Sequence, residues 1–272
     1  MSRISAMFSE LANEGRTALV PYVTAGDPEP GITVDLMHAM VASGANMLEL
    51  GLTFSFPMDD GQIIHAVCER ALEHGTTLSD VLAMVKRFRE QDDVTPVVLM
   101  GYLNPVEVLG YESFAAMASE AGIDGVLTVD MPPEEAAPLA EALGAQGLDP
   151  IFLASPTSHE QRLRKISDMA RGFIYYVSLK GVTGAASLDV DAVADKLAEI
   201  RQLSDLPLGV GFGIRDAPSA AAVAHVADAV VVGSAVVNRL AEHASDKAAI
   251  IDSVSGLLRD MREAMDAVDS GV

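Results

Sequence analysis

Eight short apolar runs recur along this chain, separated by stretches with helical periodicity. They are Leu19-Val20-Pro21-Tyr22-Val23, Met47 to Leu50, Val97-Val98-Leu99-Met100, Gly125-Val126-Leu127-Thr128-Val129, Pro150-Ile151-Phe152-Leu153, Phe173-Ile174-Tyr175-Tyr176-Val177, Leu208-Gly209-Val210-Gly211 and Ala229-Val230-Val231-Val232. The runs are continuous rather than alternating, which predicts parallel strands covered on both faces. Between them, Leu78, Val81, Leu82, Val85 and Phe88 fall on one face of a 3.6-residue helix. So do Val190, Val193, Leu197 and Ile200, and Phe114, Met117, Ala118 and Ala121. Helix openings are expected at Asp27-Pro28 and Pro133-Glu134-Glu135. Eight strand–helix alternations in about 250 residues predict an α/β fold, a (β/α)8 TIM barrel. A doubly wound open sheet has the same alternation, because strand order is not written in sequence. An amphipathic segment before the first strand (Ile4, Met7, Phe8, Leu11) predicts an extra N-terminal helix capping the lower opening.

The repeat is uneven. The second and third strand starts lie about 50 residues apart, and the sixth and seventh about 35, whereas compact domains favour short connections unless a long one has work to do. In a barrel such loops rise from the C-terminal face, where active sites lie. Asp60 falls in the first long connection and Gly181-Val182-Thr183-Gly184 in the second.

Composition narrows the picture. Half of the 272 residues are hydrophobic, and no proline- or serine-rich linker divides them, so residues 1–272 are read as one domain. The net charge is −21, from 39 acidic and 18 basic side chains. Such a surface repels phosphate backbones and excludes nucleic acid as a partner. An anionic substrate must then be held by local donors, which backbone amides at helix N-termini supply. No run approaches the ~18 apolar residues of a membrane span. The single cysteine, Cys68, and an N-terminus without a leader-like apolar run fit a cytoplasmic protein. The methionines read as core filler. His38, His65, His74, His159, His225 and His243 are scattered, and no spacing resembles a metal site or a nucleotide-binding loop.

Within this apolar framework Glu49 stands out, flanked by Leu48 and Leu50 at a strand end. A buried carboxylate is hydrogen-bonded, protonated or put to use in acid–base chemistry; the alternative is a strand-end Glu facing solvent. Asp60, in Asp59-Asp60-Gly61, is either a turn or cap residue or a second carboxylate over the same pocket. Three glycine-bearing turns follow the last three strands: Gly181 to Gly184, Gly211-Phe212-Gly213-Ile214 and Gly233-Ser234. Glycines there let backbone amides approach an anion, and barrels often bind phosphate after strands seven and eight.

At this point a specific resemblance emerges. Six motifs carry it: Pro21 to Pro28 (Pro-Tyr-Val-Thr-Ala-Gly-Asp-Pro), Leu48-Glu49-Leu50-Gly51, Met100-Gly101-Tyr102-Leu103-Asn104-Pro105, Asp130 to Glu135, Ser178 to Gly184, and Gly211 to Ile214. In this order, over nearly the whole length, they resemble the α subunits of tryptophan synthases. The resemblance implies a barrel that cleaves indole-3-glycerol phosphate to indole and glyceraldehyde 3-phosphate. It implies a β-subunit partner in an α2β2 complex that receives the indole. It matches Glu49 to the general acid–base, and Asp60 to the carboxylate that stabilises positive charge at the ring nitrogen. Thr183 matches the loop residue that orients Asp60. Gly184, Gly213, Gly233 and Ser234 match the phosphate site, and Tyr22, Met100, Leu127, Tyr175 and Phe212 the indole pocket. No cofactor is implied, because the indole ring serves as the electron sink.

Departures concentrate in one loop. The family usually has Pro-Phe-Ser-Asp-Pro, a variable residue and Ala-Asp-Gly-Pro; here Thr53, Phe56, Asp59 and Gln62 replace Pro, Asp, Ala and Pro. The family's loop faces the β subunit, so Thr53 and Phe56 bear on coupling, and Asp59 sets a like charge beside Asp60. The rival readings are a phosphate-binding barrel isomerase, a non-catalytic activator of a β subunit, and a free-standing indole-releasing lyase or loop variant.

Overall fold

The computed structural model describes residues 2–53, 67, 70–178 and 189–269. Eight parallel strands close into a barrel in chain order. They are β1 (Ala18–Thr24), β2 (Leu48–Gly51), β3 (Val97–Gly101), β4 (Gly125–Thr128), β5 (Asp149–Ala154), β6 (Ile174–Val177), β7 (Leu208–Gly211) and β8 (Ala229–Val232). The sheet closes where Leu19 of β1 pairs with Val230 of β8. The open doubly wound alternative is thereby ruled out. Each expected run matches its strand to within one residue at either end, as continuous burial on both faces requires.

The described helices cover the outside of the barrel. They are α1 (Arg3–Glu14), α2 (Thr33–Ala42), α3 (Leu78–Arg89), α4 (Leu103–Leu109), α5 (Tyr111–Ala121), α6 (Ala137–Ala145), α7 (Glu160–Met169), α8 (Val190–Arg201), α9 (Ala217–Ala224), α10 (Ser234–Glu242) and α11 (Lys247–Asp269). All three expected apolar stripes lie on helices, α3, α5 and α8. Helix α3 also shows why it begins and ends where it does. Thr77 and Asp80 form a reciprocal capping box, and Lys86, Arg87 and Arg89 occupy the last turn, where they meet the negative end of the helix dipole.

Two expected helix openings are corrected. Asp27-Pro28 is a cis peptide within a turn, and helix α2 starts only at Thr33. The Asp27 side chain is engaged elsewhere and does not cap. After Pro132-Pro133 the chain makes a turn closed by the Glu135 amide on the Pro132 carbonyl, and α6 starts at Ala137 with Pro138 in its first turn. Pro138 fits the first turn of α6, and Pro30 opens the short 3-10 turn, Pro30–Ile32, that leads into α2.

Helix α1 closes the lower end of the barrel, as its pattern predicts. Ser2 caps its start, and Gly15 in the left-handed conformation ends it. Ile4, Phe8 and Leu11 pack into the inward-facing residues Ala18, Val20, Met47, Val98, Leu127, Ile151, Phe173, Ala229 and Val231. Gly125 makes room for Ile4: a Cβ there would stand 2.9 Å from the Ile4 Cδ1. Arg3 and Arg89 both bind the buried Asp124, at 2.9 and 2.7 Å, and Ser2 donates to Asp149 at 2.6 Å. With the bottom plugged, access is left to the upper, C-terminal face.

Candidate active site

The inward face of the barrel is set by the period-two alternation of each strand. On β2 this places Glu49 on the same side as Met47, inside the barrel, one layer above the plug formed with α1. Glu49 is 2% exposed. Its register neighbours are Tyr22 on β1 and Val98 on β3. The solvent-facing alternative for Glu49 therefore fails.

Glycines seat the two tyrosines of this layer. A Cβ on Gly51 would collide with the ring and hydroxyl of Tyr22, and one on Gly211 with those of Tyr175. Tyr22, 5% exposed, shares a 2.9 Å hydrogen bond between its hydroxyl and that of Thr24. Its ring packs with Val67 and Val237, and Met100 joins them from β3. Met100 is the register partner of Leu127 on β4, and Leu127 is fully buried in the inner core. Tyr175 lies on β6 beside Gly209 of β7. The structure thus brings Glu49, Tyr22, Met100, Leu127 and Tyr175 to the upper inside of one barrel. Together they form an apolar, aromatic enclosure around a carboxyl group.

Phe212 follows β7 directly. It is the only non-glycine among the described residues with a positive φ, 74°, and Gly213 after it has φ 79°. Two successive left-handed residues turn the chain sharply and direct backbone amides to one side. Ser178 braces this turn, its hydroxyl 2.9 Å from the Gly211 carbonyl oxygen and 2.8 Å from that of Phe212. Sequence reasoning missed Ser178, although it sits in the same motif as Thr183. It also missed Gly51 and Gly211 as seats for tyrosines.

The helices after β7 and β8 begin differently. Helix α9 is capped by its own residues, Asp216 and Ser219 in a capping box. Helix α10 begins at Ser234 after Gly233, with no side chain capping it. First-turn amides of an uncapped helix, carrying the positive end of its dipole, are an anion seat. Gly213, Gly233 and Ser234 therefore lie where the late strands end. Asp60, Thr183 and Gly184 lie outside the described residues, as do Phe56, Asp59, Gln62 and Cys68.

Thr53 is described, and its hydroxyl donates to the Thr76 carbonyl at 3.0 Å. The residue that departs from the usual proline thus bridges two points 23 positions apart. Another missed element is Asp27, whose carboxylate receives two hydrogen bonds from Arg70, at 2.8 and 3.1 Å.

A plugged (β/α)8 barrel with a carboxyl buried under its C-terminal mouth and an open helix N-terminus after β8 defines an enzyme of the phosphate-binding barrel class. The family model for the tryptophan synthase alpha chain matches residues 8–266. The alpha chain of Thioalkalivibrio sulfidiphilus is 65% identical over 266 residues, covering 98% of this chain and all of that one. That of Nitrosococcus oceani is 60% identical over 270 residues, covering 99% and all. The crystal structure of tryptophan synthase subunit alpha from Legionella pneumophila superposes with a TM-score of 0.91 at 44% identity, over 98% of this chain and 99% of that one. Tryptophan synthase from Mycobacterium tuberculosis, in an aminoacrylate-bound form, gives 0.87 at 32% identity, over 97% of this chain and all of that one. This chain belongs to the tryptophan synthase alpha chain family. It is a lyase that cleaves indole-3-glycerol phosphate in tryptophan biosynthesis and works in complex with a β subunit. The isomerase and activator readings are set aside.

Proposed function

We propose that Glu49 is the general acid–base of the cleavage. The observation that carries this reading is its place: a buried carboxyl on the inner face of β2, at the register of Tyr22, directly below the mouth. Breaking the bond between the indole C3 and the glycerol chain needs two proton transfers. C3 must gain a proton as it takes up the bonding electrons, and the adjacent side-chain hydroxyl must lose one as it becomes the aldehyde. One carboxyl between the two atoms can serve both in turn. Asp60 is assigned to the positive charge that builds up on the ring nitrogen, and Thr183 to the orientation of Asp60.

The ring is assigned to Tyr22, Met100, Leu127, Tyr175 and Phe212. The phosphate is assigned to Gly184, Gly213, Gly233 and Ser234. Supporting this, Asp216 occupies the start of α9 while α10 starts without a side-chain cap. In a chain of net charge −21, amide donors hold a phosphate without adding a cation to the pocket. We further infer that residues 1–272 act as one domain, that the protein works in the cytoplasm, and that its substitutions at Thr53 and Phe56 weaken its response to the β subunit. No described helix is long and apolar enough to cross a membrane.

The direct test is Glu49→Gln. Indole release from indole-3-glycerol phosphate is expected to fall about 10²–10⁴-fold, with an unchanged melting temperature. Near-normal release would remove Glu49 from the chemistry.

A further inference from the structure

The Asp27–Arg70 ion pair lies at the upper end of the barrel, beside the strand that carries Tyr22. The Asp27 side chain is fully enclosed and that of Arg70 is 30% exposed. Burial pushes the Asp27 carboxyl above its ordinary range, and the Arg70 guanidinium opposes that shift. A buried ion pair adds little net stability over apolar residues of the same shape, because both charges lose water. What a two-pronged guanidinium–carboxylate contact supplies is a fixed distance and a fixed orientation.

The objects it fixes are identifiable. Asp27 hangs from the end of β1. Its amide donates to the Thr24 carbonyl at 3.2 Å, and the Gly26 amide donates to the Thr33 hydroxyl at 3.0 Å. Thr24 in turn holds the Tyr22 hydroxyl, and Tyr22 is the register partner of Glu49. Arg70 is helical, as are residues 71–73 and Val67. Three residues before it, Val67 packs on Tyr22 and Val237 at the mouth. Six residues after it, Thr76 accepts the Thr53 hydrogen bond. Arg70 is thus referenced, through the ion pair, to the end of β1, the strand that carries Tyr22, the register partner of Glu49.

We propose that Asp27 and Arg70 are positioning residues for the lyase reaction, the ion pair holding Arg70, and with it Val67, against the barrel mouth so that the wall beside Tyr22 and Glu49 is kept in its working place. This deepens the reading of Glu49 given above and rests on it. Neither Asp27 nor Arg70 touches the reacting atoms in this assignment. Their effect is expected in kcat, since a displacement of about 1 Å near reacting groups can reduce rate up to ~10²-fold.

The test uses the full chain with its β subunit and indole-3-glycerol phosphate as substrate. Arg70→Lys keeps the charge and removes the fork. It is expected to lower kcat about 10-fold, with KM changed less than threefold and the melting temperature within a few degrees of the parent. Arg70→Met with Asp27→Asn is expected to lose no more kcat than the worse single variant, because the pair acts as one unit. Free guanidinium is expected to restore part of the kcat of Arg70→Ala, and not that of Glu49→Gln. Unchanged kcat in both Arg70→Lys and Arg70→Met overturns the proposal. So does a fall in activity that merely tracks the fraction of folded protein by circular dichroism. If Glu49→Gln is fully active while Arg70→Lys is slow, the pair stands and the assignment of Glu49 falls. If Glu49→Gln is inactive and the Arg70 variants are normal, the pair alone falls.

Discussion

At the lower end of the barrel Asp124 and Asp149 are buried, and near the upper end Glu49 is buried, but in different company. Asp124 is held by Arg3, by Arg89 and by the Val97 amide. Arg89 spreads its remaining donors over the carbonyls of Gly122, Asp92 and Thr95. Asp149 accepts from Ser2 and its amide donates to the Asp124 carbonyl. Ser2, Arg3 and Arg89 thereby tie the start of α1 and the end of α3 to the residues that lead into β4 and open β5. Glu49 instead sits among Tyr22, Met47, Val98 and Gly51, beneath a mouth lined with rings and glycines. A carboxylate buried against fixed cations is committed to holding the fold. Glu49 lies beside an opening, where the proposed substrate enters, and none of these ties at the plugged end involves it. With Glu49 assigned as proposed, stability is expected to be concentrated at the lower end and chemistry at the upper.

The sharpest way to break that separation is to remove one group from each end. Glu49→Gln is expected to lose activity without stability. Arg89→Met is expected to do the reverse: stability falls by about 3 kcal/mol, because Asp124 loses a buried partner, while kcat per folded molecule is unchanged. Urea denaturation and indole release on the same samples decide it. A large kcat loss in Arg89→Met would show that the two ends are coupled.

A smaller effect is expected at the upper end from Gly213→Val. A branched side chain at φ 79° is strained by about 1–2 kcal/mol and blocks close approach to the amides. KM should rise about tenfold, and a glycerol phosphate analogue should bind correspondingly more weakly. Undiminished analogue affinity would move the phosphate elsewhere, with Arg215 or Lys180 as the next residues to test.

Thr53 sharpens the comparison at the mouth itself. Where the family usually has a proline, its hydroxyl bridges to Thr76, a restraint of about 1 kcal/mol on the stem of the connection. Thr53→Pro with Phe56→Asp is expected to raise stimulation by the β subunit and, by losing that bridge, to lower the stability of the isolated chain slightly. Asp59→Ala serves as the control for local charge on Asp60. Equal stimulation of parent and double variant would make the substitutions neutral for coupling.

The smallest effect belongs to Asp149. Burial raises its pKa in the folded protein and Ser2 only partly opposes this. The folded state therefore binds the proton more tightly than the unfolded chain. Its contribution to stability is complete below the ordinary carboxylate value and declines as pH rises through the raised one. Asp149→Asn should flatten the fall in melting temperature at pH above the ordinary carboxylate range. An unaltered pH slope would contradict the sign.

The strands were legible because burial on both faces leaves an uninterrupted apolar run, and Glu49 was legible because it interrupts one. Asp149 was not read as a strand residue, since the run visibly begins at Pro150. Asp27 looked like a helix opener because Asp-Pro often is one. Its real partner, Arg70, lies 43 residues on, and only the folded barrel brings the two together. The glycine seats under Tyr22 and Tyr175 were equally hidden, because nothing local says which ring a glycine will face. Phe212 was found through its motif, while its left-handed backbone depends on Ser178 across the strand ends. Local pattern wrote the layers, and long-range pairing wrote the details of the mouth.

Thr17, which precedes β1, is fastened almost entirely by residues from the other end of the chain. Its amide and hydroxyl donate to Asp269 at 3.0 and 3.1 Å, and its carbonyl accepts from Arg262 at 2.8 Å. The contacts with Asp269 span 252 positions. On a ribosome adding 5–20 residues each second, β1 would wait roughly 12–50 s before those partners exist. Its other long-range neighbour, β8, is also among the last strands made. For most of its synthesis the nascent chain therefore carries an unpaired strand edge of high sticking potential. That edge is covered only when the C-terminal third of the chain has emerged.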